Sequence, residues 1–307
     1  MRPFGPIVWA AGAALLGAGL FGLGAYGSLV VWGLCQMGIL ALGYDLLGGM
    51  GREVHLGHGA FFGLGAYTSA ICMEASCSWW TALVAAGAAG AIWARISALV
   101  LVELRGASFA VASLCFVLSG LVLARNLVGL TGGVSGISTP ILGKEIPYAC
   151  TFVLLMVSLR VHRAALNSSW GRALRAVGED SLAASHVGVC PRRIRTQALV
   201  VGSTMASLAG GIYPLQSGYL SPESAFGLDV AMSPVVAVLL GGPGTRWGAL
   251  LGAAILGGFQ ELIWSSLRGG NLLVLGLFLM ACGFLLPGGV AGLLEARLSR
   301  RAGGSHC

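Results

Sequence analysis

From residue 7 to residue 288 the chain is a succession of long apolar runs separated by short polar breaks. A helix needs about 20 largely apolar residues to cross the hydrocarbon core of a bilayer. The runs fall at 7–25, 28–47, 59–76, 80–102, 107–125, 146–161, 196–216, 229–243, 247–266 and 271–288. Charged residues make up 9% of the chain, against roughly 25% in soluble domains, so polar groups cannot cover a globular surface. A bilayer removes that requirement, because lipid accepts an apolar exterior and helices satisfy their own backbone. The expected fold is an all-α, polytopic transmembrane helical bundle of about ten spans. The 50 glycines agree, since small residues let membrane helices approach closely.

The N-terminal stretch MRPFGPIVWAAGAALLGAG has one arginine followed by an apolar run, in the manner of a signal peptide. It is read as an uncleaved first span. The net charge is +7, carried by 17 arginines and the single lysine Lys144. No basic run is interleaved with aromatics, so nucleic-acid binding is set aside and the arginines are read as topology signals. Arg160, Arg163, Arg172, Arg175, Arg192, Arg193 and Arg195 gather between residues 160 and 195, and Arg297, Arg300 and Arg301 in the tail. Both regions are expected on the cytoplasmic side, and an even number of spans puts the N-terminus there as well. Trp79 and Trp80 then fall at the outer interface. The eight cysteines form no C-x-x-C pair. Most lie in apolar runs as small hydrophobes, while Cys72 and Cys77 are near enough to pair on the outer face.

Three polar segments stand out. In GREVHLGHGAFFGLGAY (51–67), Arg52, Glu53, His55 and His58 fall within seven residues, between the second and third runs. Ionisable groups at membrane depth are costly and functional when retained, so one reading is a gating or path-lining element. The other is an interfacial loop in contact with water. Arg52 and Glu53 are expected to find opposite charges elsewhere, and the His58 ring to bond neighbouring backbone. Glu53, His55 and His58 are residue types that bind metals, but no further ligand is in range and no metal is assigned.

The segment SSWGRALRAVGEDSLAASHVGVCPRRIR (168–195) reads as helix, break and short helix. Leu174, Val177 and Leu182 give a partial apolar stripe, Arg172 and Arg175 share a face, and the second helix is expected to end near Gly188, with Pro191 stopping it. It is either a basic loop on anionic lipid or a segment that docks into a protein groove. GLTGGVSGISTP (129–140) is a glycine-rich outer turn, with backbone N–H groups available to a solute. LGGMGR (47–52) is partly echoed by LGGPGTR (240–246), a pointer to an internal repeat. No catalytic signature is present, and no P-loop.

Together these motifs resemble the branched-chain amino-acid ABC permease family. GYDLLGG and HLGHGAFFGLGAYTSA (43–70) are similar to its signature, and TGGVSGIS (131–138) to its outer glycine motif. WGRALRAVGEDSLAASHVGV (170–189) is similar to its cytoplasmic coupling segment, with GYLSPESAFGLDVAMSPVVAVLLGGPGTRWGALLGAA (218–254) and LLPGGVAGLL (285–294) following in order. The resemblance implies one transmembrane permease domain over residues 1–307, with a coupling loop at 162–195, in a bacterial inner membrane. It implies a second, related permease subunit, two cytoplasmic ATPase subunits that bind the ATP, and an extracytoplasmic solute-binding protein. This chain itself is expected to be neither an enzyme nor a holder of cofactors. The coupling residues would be Arg172, Arg175, Glu179, Ser181, Ala183, Ala184 and Gly188. The path or its gate would include His55, Gly57, His58, Phe61, Phe62, Gly63, Gly65, Tyr67, Thr131, Gly132 and Gly133. The expected cargo is a branched-chain amino acid or a related amino acid, amide or carboxylate.

The chain departs from the family where His55 replaces its usual serine, Glu53 a glutamine and Arg52 a glycine. A titratable His55 would favour a solute bearing a carboxylate. An ion- or proton-coupled secondary transporter is the alternative. It would use acids within the spans, for which Asp45, Glu103, Asp229 and Glu261, with Arg95, are the residues to inspect.

Overall fold

In the computed structural model, which describes residues 24–266 and Gly289, the chain is almost wholly helical. In order come α1 (Ala25–Asp45), α2 (His58–Glu74), α3 (Trp79–Leu101), α4 (Gly106–Asn126), α5 (Val128–Thr131) and α6 (Glu145–Asn167). Then follow α7 (Ser169–Glu179), α8 (Ser181–His186), α9 (Pro191–Ser217), α10 (Pro222–Phe226), α11 (Leu228–Gly241) and α12 (Gly248–Ser266). A two-residue antiparallel pair joins β1 (Ile137–Ser138) to β2 (Tyr219–Leu220), with Ile137 opposite Leu220.

Among the described residues, six helices are long and apolar enough to cross a membrane. The fold is therefore all-α and polytopic. The run at 271–288, and all but the end of that at 7–25, lie outside the described residues; each of the other expected runs coincides with a helix. The outward faces are apolar, as a bilayer allows. Val84, Ile92, Ile96 and Leu99 of α3 and Val111, Val122 and Leu123 of α4 are all exposed.

The most enclosed of these long helices is α9. It packs against α1, α2 and α3 through small residues, the arrangement that lets backbones meet where no hydrophobic effect drives helices together. A methyl group on Gly65 of α2 would collide with the carbonyl of Ser207, and one on Gly210 with that of Phe62. Two polar side chains bond across this crossing: Ser207 Oγ donates to Ala86 O at 2.7 Å and Gln36 Nε2 to Ala209 O at 3.1 Å. Leu46, Leu47, Phe61, Phe62, Phe109, Leu199 and Met205 form the core here, and Leu174 of α7 is rooted in the same cluster.

One expected boundary differs. Pro191 does not stop the short helix, which ends at His186; it occupies the first turn of α9. Gly188, near which the helix was expected to end, makes the break at φ 86°. Proline at a helix start lacks only an N–H that would have no partner there. As a result Arg192, Arg193 and Arg195 lie in the first turns of α9 rather than in a loop.

Candidate functional site

The chain between α1 and α2 carries the geometry of interest. After Asp45 the helix widens into a π-turn, Leu46–Met50, and residues 51–57 form an irregular linker before His58 opens α2. Single π-turns of this kind are frequent at functional sites. Two glycines in LLGGM make room for it: a methyl on Gly49 would strike Asp45 Oδ1 and lie 2.6 Å from the Gly244 nitrogen.

Asp45 is fully buried at this turn. Its Oδ2 lies 2.6 Å from Nε2 of His162 on α6, and its Oδ1 accepts the Gly244 N–H at 2.8 Å. One carboxylate thus joins α1, α6 and the loop between α11 and α12. It also holds the two LGG segments face to face. A buried carboxylate is tolerated when its oxygens are this fully occupied.

The linker is tied at both of its charged residues, as the sequence anticipates. Arg52, held at φ 52°, pairs with Glu179 of α7 at 3.5 Å in an exposed contact. Glu53 pairs with Arg195 of α9 at 2.9 Å, where both side chains are largely buried. Arg195 also donates to the carbonyls of Val102 and Leu104 at 2.7 and 2.9 Å, anchoring the end of α3. Beneath these pairs α7 lies directly on the linker: a methyl on Gly178 would sit 2.7 Å from Gly51 O, and Leu174 packs near Gly51.

The two histidines turn inward. His55 is 2% exposed and stacks on Tyr44 with ring centroids 4.7 Å apart, while His58 meets Tyr44 and His55 edge-on. Burial pushes the His55 imidazole down to about 4, so at neutral pH it offers no positive charge to a carboxylate. The Nε2 of His58, whose ring was expected to bond backbone, has no hydrogen-bond partner among the described residues. The Leu56 N–H donates to Ser113 Oγ at 2.9 Å, and Gly57 abuts Ser113.

The remaining expected path residues divide between the two ends of α2. Phe61, Phe62, Gly63, Gly65 and Tyr67 are buried inside the chain. Gly63 faces the Phe226 ring, on which Tyr67 stacks at 5.8 Å. Thr131, Gly132 and Gly133 lie near this far end. Thr131 Oγ1 donates to Ala124 O at 2.6 Å, and Gly132 and Gly133 turn the chain at φ 67° and 60° toward the β1–β2 pair.

The expected coupling residues lie on α7, on α8 and at the turn after α8, most of them exposed. Gly171, Leu174 and Val177 are the buried side of α7, while Arg172, Arg175 and Glu179 point outward. Ser168 caps α7 by accepting from Gly171 N–H, and Asp180 caps α8 by accepting from Leu182 and Ala183. Ala183 and Gly188 are exposed, Ser181 is half-buried and Ala184 is buried. Leu182 and Val187 are exposed by 67% and 78% at the tip. Between the end of α6 and the outer face of α7 lies a shallow depression of about 480 Å³ lined by Leu166, Asn167, Arg172, Arg175, Ala176 and Glu179. Among the described residues no group of His, Cys, Asp or Glu gathers to hold a metal ion.

The family described as the permease component of the branched-chain amino acid transport system matches residues 28–283. The chain belongs to this family. It is 29% identical over 275 residues to the high-affinity branched-chain amino acid transport system permease protein LivM of Escherichia coli (strain K12), covering 77% of this chain and 64% of LivM. It is 30% identical over 234 residues to the autoinducer 2 import system permease protein LsrC of Yersinia pseudotuberculosis serotype IB (strain PB1/+), covering 71% of this chain and 64% of LsrC. To LivH of Salmonella typhimurium, another branched-chain amino acid permease protein, it is 27% identical over 253 residues, covering 73% of this chain and 80% of LivH. The match thus spans less than two thirds of the length of LivM and LsrC. No solved structure matches the chain.

Within this permease family the site gains residues that motif reading alone does not single out. His162 and Gly244 matter through Asp45, and Arg195 through Glu53. Asp45 carried a signal in the sequence as an acid inside an apolar run, Gly244 as part of the LGGPGTR echo and Arg195 as one of the gathered arginines, whereas His162 carried none.

Proposed function

We propose that this chain is the permease subunit of an ATP-driven importer, with the linker at 46–57 as its inner gate and α7–α8 as the segment that receives the ATPase motion. The observation that carries this reading is the direct seating of α7 on the linker, through Gly178 against Gly51 and Arg52 against Glu179. A push on the exposed tip at Leu182 and Val187 has no slack to cross before it reaches the π-turn. From there Asp45 passes it to α6 and to the loop at Gly244. Glu53 and Arg195 brace the opposite side of the linker.

The remaining parts follow from the same reading. A second, related permease subunit completes the path, two cytoplasmic ATPase subunits bind and hydrolyse ATP, and an extracytoplasmic solute-binding protein delivers the cargo. Thr131, Gly132 and Gly133 then belong to the entry side, and His55, His58, Phe61 and Phe62 to the packing that the gate moves against. The chain is placed in a bacterial inner membrane in about ten spans, with both termini and α7–α8 on the cytoplasmic side, where the arginines concentrate. The apposed LGG segments support two related halves meeting at the gate. The cargo is a small polar solute, with branched-chain amino acids favoured by the LivM and LivH relatives and a wider range by LsrC. The ion-coupled alternative would draw on Asp45, but both of that carboxylate's oxygens are already engaged.

The test is co-purification from native membranes in mild detergent. An ATPase pair is expected to accompany the wild-type chain and to be lost from Leu182→Asp combined with Val187→Asp. A correctly folded chain that never carries an ATPase contradicts the reading.

A further inference from the structure

The end of α2 remote from the coupling segment closes in an unusual way. Ser76 N–H donates to Met73 O and Cys77 N–H to Cys72 O, each at 3.0 Å, with Ser76 in the left-handed region at φ 62°. These paired bonds define a Schellman closure, in which the side chains three residues inside the helix and two beyond its cap come together. That contact is ordinarily apolar. Here its two positions are Cys72 and Cys77.

Three observations converge on a covalent role for the pair. The backbone bond between the two residues draws their α-carbons into the separation that a disulfide spans. In the structure both are free thiols, Cys72 half-buried against a cluster that includes Trp79, Leu83 and Leu142 and Cys77 exposed; one sulfur is held and the other is open to reagents. The left-handed position at the cap, where glycine is the usual residue, is occupied by a serine, so the turn lacks the residue that would hold it without strain. A cross-link from Cys72 to Cys77 closes the same turn covalently.

We propose that Cys72 and Cys77 form a disulfide that staples the C-terminal turn of α2 on the extracytoplasmic face. The inference rests on the membrane orientation given under the proposed function, because disulfides form and persist in oxidising compartments. The oxidant is a protein or low-molecular-weight disulfide of that compartment. The Cys77 thiolate attacks it, forming a mixed disulfide and releasing the first oxidant thiol. The Cys72 thiolate then displaces the second from the Cys77 sulfur. Two thiols and one disulfide become one disulfide and two thiols. The protons and electrons lost by the cysteines leave with the reduced oxidant.

The experiment starts from full-length protein taken from native membranes without reductant and alkylated before digestion. The expected result is a peptide in which Cys72 and Cys77 are both unmodified and accept two alkyl groups only after reduction. Alkylation of both without reduction overturns the proposal. A Cys72→Ser variant separates this outcome from a failure of the orientation. Its freed Cys77 is expected to react with a membrane-impermeant maleimide added outside right-side-out vesicles. If Cys77 reacts only after permeabilisation, the orientation fails and the disulfide fails with it. If both wild-type thiols react from outside, the disulfide alone is overturned and the transport reading stands.

Discussion

Asp45 and His162 meet at 2.6 Å with neither side chain exposed, and the same carboxylate receives the Gly244 N–H. They lie 117 residues apart in sequence. Removing one member of such a buried pair strands the other, which costs far more than the pair contributes net. Asp45→Ala and His162→Ala are each expected to lower stability in detergent by about 3 kcal/mol. The double variant is expected to cost less than their sum by about 2 kcal/mol, because the contact between the two side chains can be lost only once. Thermal unfolding of the four proteins measures this coupling, and strict additivity would refute it.

Arg195 serves Glu53 and the carbonyls of Val102 and Leu104 together. A guanidinium presents its donors in a fixed fork, which an ammonium cannot copy. Arg195→Lys is therefore expected to recover little of what Arg195→Ala loses, on the order of 2–4 kcal/mol of stability. Chemical unfolding checks both variants, and near-complete recovery by lysine would count against the fork geometry.

His55 sets a pH dependence whose sign follows from burial. Its imidazole is pushed down to about 4 from an ordinary value of 6.5, so below pH 6.5 the unfolded chain binds a proton that the folded chain does not. Its contribution is complete above about pH 6.5 and is lost as pH falls through about 4, amounting to roughly 3 kcal/mol in all. A His55→Gln variant is expected to show a shallower acid limb between pH 6.5 and 4 than wild type. Uptake between pH 7 and 8 is expected to show no inflection from this residue. An uptake inflection near pH 7 that His55→Gln removes would contradict the neutral, buried assignment.

The long helices were legible because an apolar run of membrane length leaves few alternatives. The amphipathic pattern of Leu174 and Val177 placed the buried side of α7 in the same way. The opposite partners of Arg52 and Glu53 could be anticipated as charges but not named, since Glu179 and Arg195 reach them only through tertiary packing. His162 gave no signal, because a histidine near the end of an apolar run reads as interfacial until Asp45 is set beside it. The helix end near Gly188 was legible from the glycine, whereas Pro191 misled in its role, since it begins the next helix rather than stopping the one before it.

The central claim is that α7 drives the linker, and Gly178 isolates that contact. A leucine there must push α7 away from Gly51 O, which a methyl would already approach to 2.7 Å, while Leu182 and Val187 stay available at the tip. The direct measurement is solute uptake and ATP hydrolysis, side by side, in proteoliposomes holding the assembled importer with Gly178→Leu. The account predicts that ATP hydrolysis persists while uptake per ATP falls about tenfold, within the range of a coupling of about 1–3 kcal/mol. Uptake per ATP equal to wild type would show that the motion reaches the gate by another route.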